Sequence, residues 1–307
     1  MTSTKLNSRI ARRLRGEADW WLSFLIGRIS RYPNDQVLRV FAMRRSGHHA
    51  ILNWIRYHLR GKHYFLNDCK LGENPFNSAV WQSCLVQGYF GEHRLFRAGT
   101  EQSRIFTYKG TLIYNFEEVD LRRVSDLMDG KQEKEWIGPS RLRKDIIILR
   151  DPFNMLASKL KWAYGVVDRP SKPTLEDVRK SRDLWKIYAQ EFLGRTNCLR
   201  DRINISYNHW FSDREYRDRL ALDLGFKNRD LGIMEVARWG PSLSQDSFDG
   251  IKYDGRAQEM RVLDRWQAFK NDSFYLEMVE DKELHKLSND IFGDLPGTTD
   301  LIERIVS

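Results

Sequence analysis

The run Asp145-Ile-Ile-Ile-Leu149 constrains the fold more than any other stretch of the chain. Four consecutive apolar residues without alternation make a strand buried on both faces. Such strands belong to parallel sheets covered by helices on each side. Arg150-Asp-Pro follows at once, and Pro152 sits where a proline favours a helix start, here for a helix running to residue 164. The same order occurs earlier. A β-rich Val37-Leu-Arg-Val-Phe-Ala-Met43 leads through Arg44-Arg-Ser-Gly-His-His-Ala50 to Ile51, Leu52, Trp54, Ile55 and Leu59 at helical spacing. Further strands are expected at 64–66, 111–116 and 202–206. Further helices are expected at 174–194, 213–224, 256–269 and 282–292. Strands alternating with helices predict an α/β fold, a mostly parallel sheet flanked by helices. Residues 67–103 read as an irregular, loop-rich connection, the kind that shapes a substrate site.

Of the 307 residues, 41% are hydrophobic and 30% charged, enough core for a globular protein and too much for a disordered one. No run approaches the ~18 apolar residues of a membrane-spanning helix. Cys69, Cys84 and Cys198 are far apart and lack ligand spacing, which speaks against a disulfide framework or zinc site and for a reducing, cytoplasmic setting. The net charge of +9 is local. Residues 1–60 hold twelve basic side chains against three acidic, and the remaining 247 carry 39 of each sign. A local excess points to a site or docking surface.

Part of that excess lies on an expected amphipathic helix at 5–31. Leu6, Ile10, Leu14, Trp21, Leu25 and Ile29 share one face, and Arg9, Arg12, Arg13 and Arg15 crowd its first half. Such a helix packs on a domain or makes a peripheral membrane contact. The expected organisation is this basic helix (1–31), a single α/β domain (32–295) and a C-terminal tail (296–307). Charge beyond residue 60 is balanced, so no nucleic-acid partner is expected.

The rest of the excess sits at a strand end, where ligands of open α/β sheets bind. In the first loop, Arg44 and Arg45 supply fixed positive charge and Ser46 a hydroxyl. Gly47 lets backbone approach closely, and His48 and His49 can donate further bonds. With the following helix N-terminus, these suit a phosphate-like group. No GxxxxGK[ST] motif occurs, which lowers the case for an ATP-dependent enzyme. At the second strand end, Arg150 can fork onto phosphate oxygens, and Ser158 follows eight residues on. Two anion-ready loops describe a ligand with two separated anionic groups.

Here the chain resembles the sulfotransferases that use 3′-phosphoadenosine 5′-phosphosulfate (PAPS), and Arg-Ser-Gly-His-His-Ala resembles their bacterial branch. Arg45-Ser-Gly-His-His49 is similar to that family's 5′-phosphosulfate loop, with His48-His49 in place of a hydroxyl pair. Arg150-Asp-Pro through Ser158 is similar to its 3′-phosphate loop. Residues 203–207 through Leu224-Gly225 look like the segment that places a tyrosine, here Tyr207, near the adenine. Residues 242–266 resemble the late phosphate-side loop more loosely. The resemblance, over residues 36–293, implies a P-loop NTPase-like sulfotransferase architecture. It implies PAPS as cosubstrate and no metal, with Arg45 stabilising charge on the leaving phosphate.

A hydroxyl or amine acceptor, a carbohydrate or small molecule, needs a base. Glu117 at the end of strand 111–116 is the first candidate. Adjacent Glu118, His93 and His48 are the others. The rival readings are a P-loop-like small-molecule kinase and a non-enzymatic basic protein binding membrane surfaces or nucleic acid.

Overall fold

The computed structural model describes Leu25 and residues 31–88, 91–95, 108–128, 130–165, 172–236, 248–249, 251, 253–295 and 297–298. Seven strands form one sheet: β1 Asn34–Ala42, β2 Gly61–Asn67, β3 Trp81–Gly88, β4 Gly91–Leu95, β5 Gly110–Glu117, β6 Ser140–Leu149 and β7 Arg202–Ser206. Their spatial order is β4-β3-β2-β5-β1-β6-β7. The described helices are α1 His48–His58, α2 Pro75–Ser78, α3 Val124–Leu127, α4 Gly130–Ile137, α5 Pro152–Tyr164, α6 Leu175–Phe192, α7 Tyr207–Ser212, α8 Arg214–Asp223, α9 Ser273–Val279 and α10 Lys282–Phe292. The sheet is mostly parallel and flanked by helices, the α/β fold that the sequence predicts. The expected 5–31 helix lies outside the described residues except Leu25 and Arg31, and the 296–307 tail except 297–298. No helix among the described residues is long and apolar enough to cross a membrane.

The chain divides into two compact units. The first draws its described residues from Met1–Val40, Leu59–Glu117 and Arg123–Ile146. In it, β2 runs parallel to β5 with His63 opposite Thr111, and antiparallel to β3 with Gly61 opposite Gln87. β3 then pairs antiparallel with β4. The stretch 67–103, expected to be irregular, therefore contains a strand pair added to the sheet and the one-turn α2. Gln82, Ser83 and Gln87 blur any hydrophobic period in β3. Pairing with β2 nonetheless satisfies its backbone, a tertiary effect that local pattern does not carry.

Two charges sit among the apolar residues of β1 and β6. Arg39 Nε and Nη2 each donate to the Asp145 carboxylate at 2.7 Å, a buried bidentate pair. Glu133 of α4 is paired with Arg143 and accepts from the Tyr114 hydroxyl. Lys109 is fully buried, and its ammonium donates to the Ile137 carbonyl at 3.1 Å. Burial, and then the charge of Lys62, push its pKa down to about 7.

The second unit draws on Phe41–His58, Glu118–Arg122 and Ile147–Ser307. Its helices start where the sequence places capping residues. Asp151 caps α5 with Pro152 in the first turn, Thr174 and Asp177 form a capping box on α6, and Asp213 and Asp281 cap α8 and α10. Trp54 of α1 packs edge-on to Trp210 and Phe226. Tyr207, expected at the end of a strand, is the first residue of α7, capped by Ser206.

A further expectation is corrected. Residues 256–269 do not form a continuous helix but two short 3₁₀ turns, Ala257–Glu259 and Arg265–Phe269. Asn154 of α5 explains the break: its Nδ2 donates to the Leu263 carbonyl at 3.0 Å and its Oδ1 accepts from Trp266 N at 3.3 Å. These bonds take backbone groups that an α-helix would pair internally.

Candidate active site

Both anion-ready loops belong to the second unit. The first leaves β1 at Ala42 and turns into α1. Ser46 N donates to the Met43 carbonyl at 3.1 Å, and Ala50 N to the Gly47 carbonyl at 3.0 Å. Arg45 and Gly47 both take left-handed backbone angles, φ 69° and 79°. Gly47 has a second constraint, because a Cβ there would lie 2.1 Å from Cε2 of the Tyr207 ring. Tyr207 is thus brought against the loop. Ser46 Oγ and His48 Nδ1 lie 3.3 Å apart, and the His48 and His49 rings are 4.1 Å apart. The Arg45 guanidinium sits 5.0 Å from the Trp162 ring of α5.

The second loop meets the first through Arg150, which is 2% exposed. Its Nη1 donates to the Arg45 carbonyl at 3.1 Å, and its Nη2 to the Val262 carbonyl. Its guanidinium lies 5.2 Å from the Tyr207 ring. Its Nε has no hydrogen-bond partner among the described residues. Burial lowers the Arg150 pKa, and Tyr207 and Asp151 oppose that shift. Asp151 offers no free countercharge. Its carboxylate accepts from Asn154 N at 2.8 Å, Asn154 Nδ2 at 2.9 Å and Asn208 Nδ2 at 2.9 Å, so it is engaged as a helix cap.

Ser158 lies one turn beyond Asn154 in α5. Its hydroxyl donates to the Asn154 carbonyl at 2.6 Å and accepts from Arg265 Nη1 at 3.1 Å. Arg265 is a functional candidate that the sequence reading did not single out, although it lies in the loosely matched segment 242–266, of which 242–247, 250 and 252 fall outside the described residues. Its guanidinium is 5.2 Å from the Phe248 ring, and its Nε has no partner among the described residues. Burial, and then Arg150, lower its pKa, and Arg45 contributes in the same direction. Arg150 and Arg45 thus each disfavour the charge on Arg265. A cavity of about 280 Å³ adjoins Arg265, lined also by Phe248, Asp249, Tyr253 and Met260 among others. The arrangement holds like charges at two strand ends, and a ligand with two anionic groups would relieve their repulsion.

The candidates for the base differ in their surroundings. Glu117 closes β5 in the first unit, and its carboxylate accepts from Asn115 Nδ2 at 3.4 Å. Glu118 belongs to the second unit and is ion-paired with Lys159 of α5. His93 stands on β4, and its side chain lies outside the described residues. His48 is buried in the first loop.

No protein-family model matches the chain, and no curated protein matches it. Among solved structures it is similar to the sulfotransferase domain of the olefin synthase of Synechococcus PCC 7002. The TM-score is 0.49 at 12% identity, over 87% of this chain and 98% of that one.

Proposed function

We propose that the chain is a sulfotransferase. In this reading it takes a sulfuryl group from PAPS and passes it to a hydroxyl or amine acceptor, a carbohydrate or another small molecule. The observation that supports it most is the Arg150–Arg265–Ser158 cluster beside the Arg45–Gly47 loop. Among the described residues, the buried Arg150 and the half-buried Arg265 keep Nε atoms without a hydrogen-bond partner, and the buried acid beside them, Asp151, is spent on a helix cap. PAPS carries two separated anionic groups, which suits two such cradles. On this assignment Arg150, Ser158 and Arg265 hold the 3′-phosphate. Arg44, Arg45, Ser46, Gly47, His48 and His49 hold the 5′ end, and Tyr207 lies near the base.

Catalysis then rests on positioning and charge. The bond from sulfur to the bridging phosphate oxygen breaks as the acceptor oxygen or nitrogen bonds to sulfur. Arg45, permanently protonated, balances the charge that grows on the departing phosphate. Glu117 takes the acceptor's proton, with His48 as the other candidate. Glu118 suits that role less, because its carboxylate is already held by the Lys159 ammonium.

Calorimetric titration with 3′-phosphoadenosine 5′-phosphate (PAP), the desulfonated product, tests the reading. Binding with a dissociation constant below about 100 µM is expected, with ATP far weaker. Binding of ATP without PAP would replace this reading with a kinase-type one.

A further inference from the structure

An ion pair between a buried lysine and a half-buried glutamate, outside both anion cradles, connects them. Lys159 follows Ser158 directly in α5, and its side chain is 2% exposed. Its ammonium donates to the Glu118 carboxylate and to the Ser181 hydroxyl of α6. Ser181 in turn donates to the Asp177 carbonyl at 2.7 Å. Glu118 adopts a left-handed backbone, φ 59°, uncommon for a residue with a long side chain. Its backbone N–H donates to the Ala42 carbonyl at 3.0 Å, at the last residue of β1 before the first loop. One residue therefore grips the base of the first cradle with its backbone and the helix of the second with its side chain. The pair is electrically tied to the site as well. Burial lowers the Lys159 pKa, Glu118 opposes this, and the charge of Arg44 adds to the lowering.

We propose that Glu118 and Lys159 are positioning residues that set the separation of the two anionic subsites. Their pair thereby makes the site selective for nucleotides that carry a 3′- and a 5′-phosphate together. The proposal rests on the reading of the two loops as subsites of one nucleotide. The physics is that of two linked contacts. When both subsites sit at the spacing of one ligand, the second phosphate binds at high effective concentration, and that gain vanishes if the spacing drifts. Each subsite alone keeps its own side chains, so a ligand with a single phosphate does not sense the strut.

The test compares PAP, adenosine 5′-monophosphate and adenosine 3′-monophosphate by calorimetry on the whole chain. Lys159→Met is the first variant. It leaves only the partly exposed Glu118 without its partner, whereas removing Glu118 alone would strand a buried ammonium. The double variant Glu118→Gln/Lys159→Met removes both charges and guards against failure to fold. In either variant PAP affinity is expected to fall about tenfold or more, while both monophosphates stay within about twofold of the parent. A PAP preference retained within about twofold would overturn the proposal, as would equal weakening of all three ligands, which marks general loosening of the fold. If the parent binds PAP no better than the monophosphates, the reading of the two loops falls and the proposal with it. A parent that prefers PAP and variants that keep the preference would sink the strut alone.

Discussion

Gly47 has no room for a side chain. Its backbone is left-handed and a Cβ would strike the Tyr207 ring at 2.1 Å. Gly47→Ala is therefore expected to push Tyr207 off the first loop and to weaken PAP binding at least tenfold. Titration of the variant checks this, and unchanged affinity would show that the loop does not hold the ligand. Arg150 makes a different prediction. Its guanidinium already bridges two backbone carbonyls, so Arg150→Ala removes a bracket between loops as well as a charge. A loss of ~1.5–3 kcal/mol in PAP affinity is expected, read in the same titration. Glu117→Gln should leave PAP affinity within about twofold while removing the acidic limb of the pH–rate profile. Survival of that limb would move the role to a histidine.

At the scale of the element, α5 carries most of the second cradle, and its cap holds it in place. Asp151 is buried and accepts three bonds. Asp151→Ala should cost about 1–2 kcal/mol of stability, measured by denaturant unfolding. It should weaken PAP binding too, because Arg150 and Ser158 flank the cap. This helix was also the most legible element: Pro152, the preceding Asp and the apolar run before it marked its start in the sequence. The starts of α6, α8 and α10 also carry a local signal, a capping Thr or Asp. The β3–β4 pair was not legible, because its strand character comes from pairing with β2 and not from its own residues. Nor was the break within 256–269, which Asn154 imposes from another helix. The site followed the same division. Arg45, Gly47 and Arg150 announced themselves by position at strand ends. Arg265 needed the fold to bring it to Ser158, and the split between Glu117 and Glu118 needed Lys159.

At the scale of the whole molecule, the chain's stability should depend on pH through Lys109. Its folded pKa is about 7, against an ordinary 10.5. Between those values the unfolded chain holds a proton that the folded chain lacks, so stability should rise with pH across that window. Lys109→Met should flatten the rise, which unfolding curves from pH 7 to 10 would reveal. The net charge of +9 also takes on a narrower meaning. On the proposed function, its basic residues at the first strand end serve a small polyanion, whose affinity should fall as salt is raised. The central claim is transfer of a sulfuryl group, and radiolabelled PAPS offered with a panel of hydroxyl and amine acceptors tests it most directly. Label passing to one acceptor class with equal release of PAP is the predicted result. Label that stays in PAPS, while labelled ATP modifies an acceptor in the same panel, would contradict it.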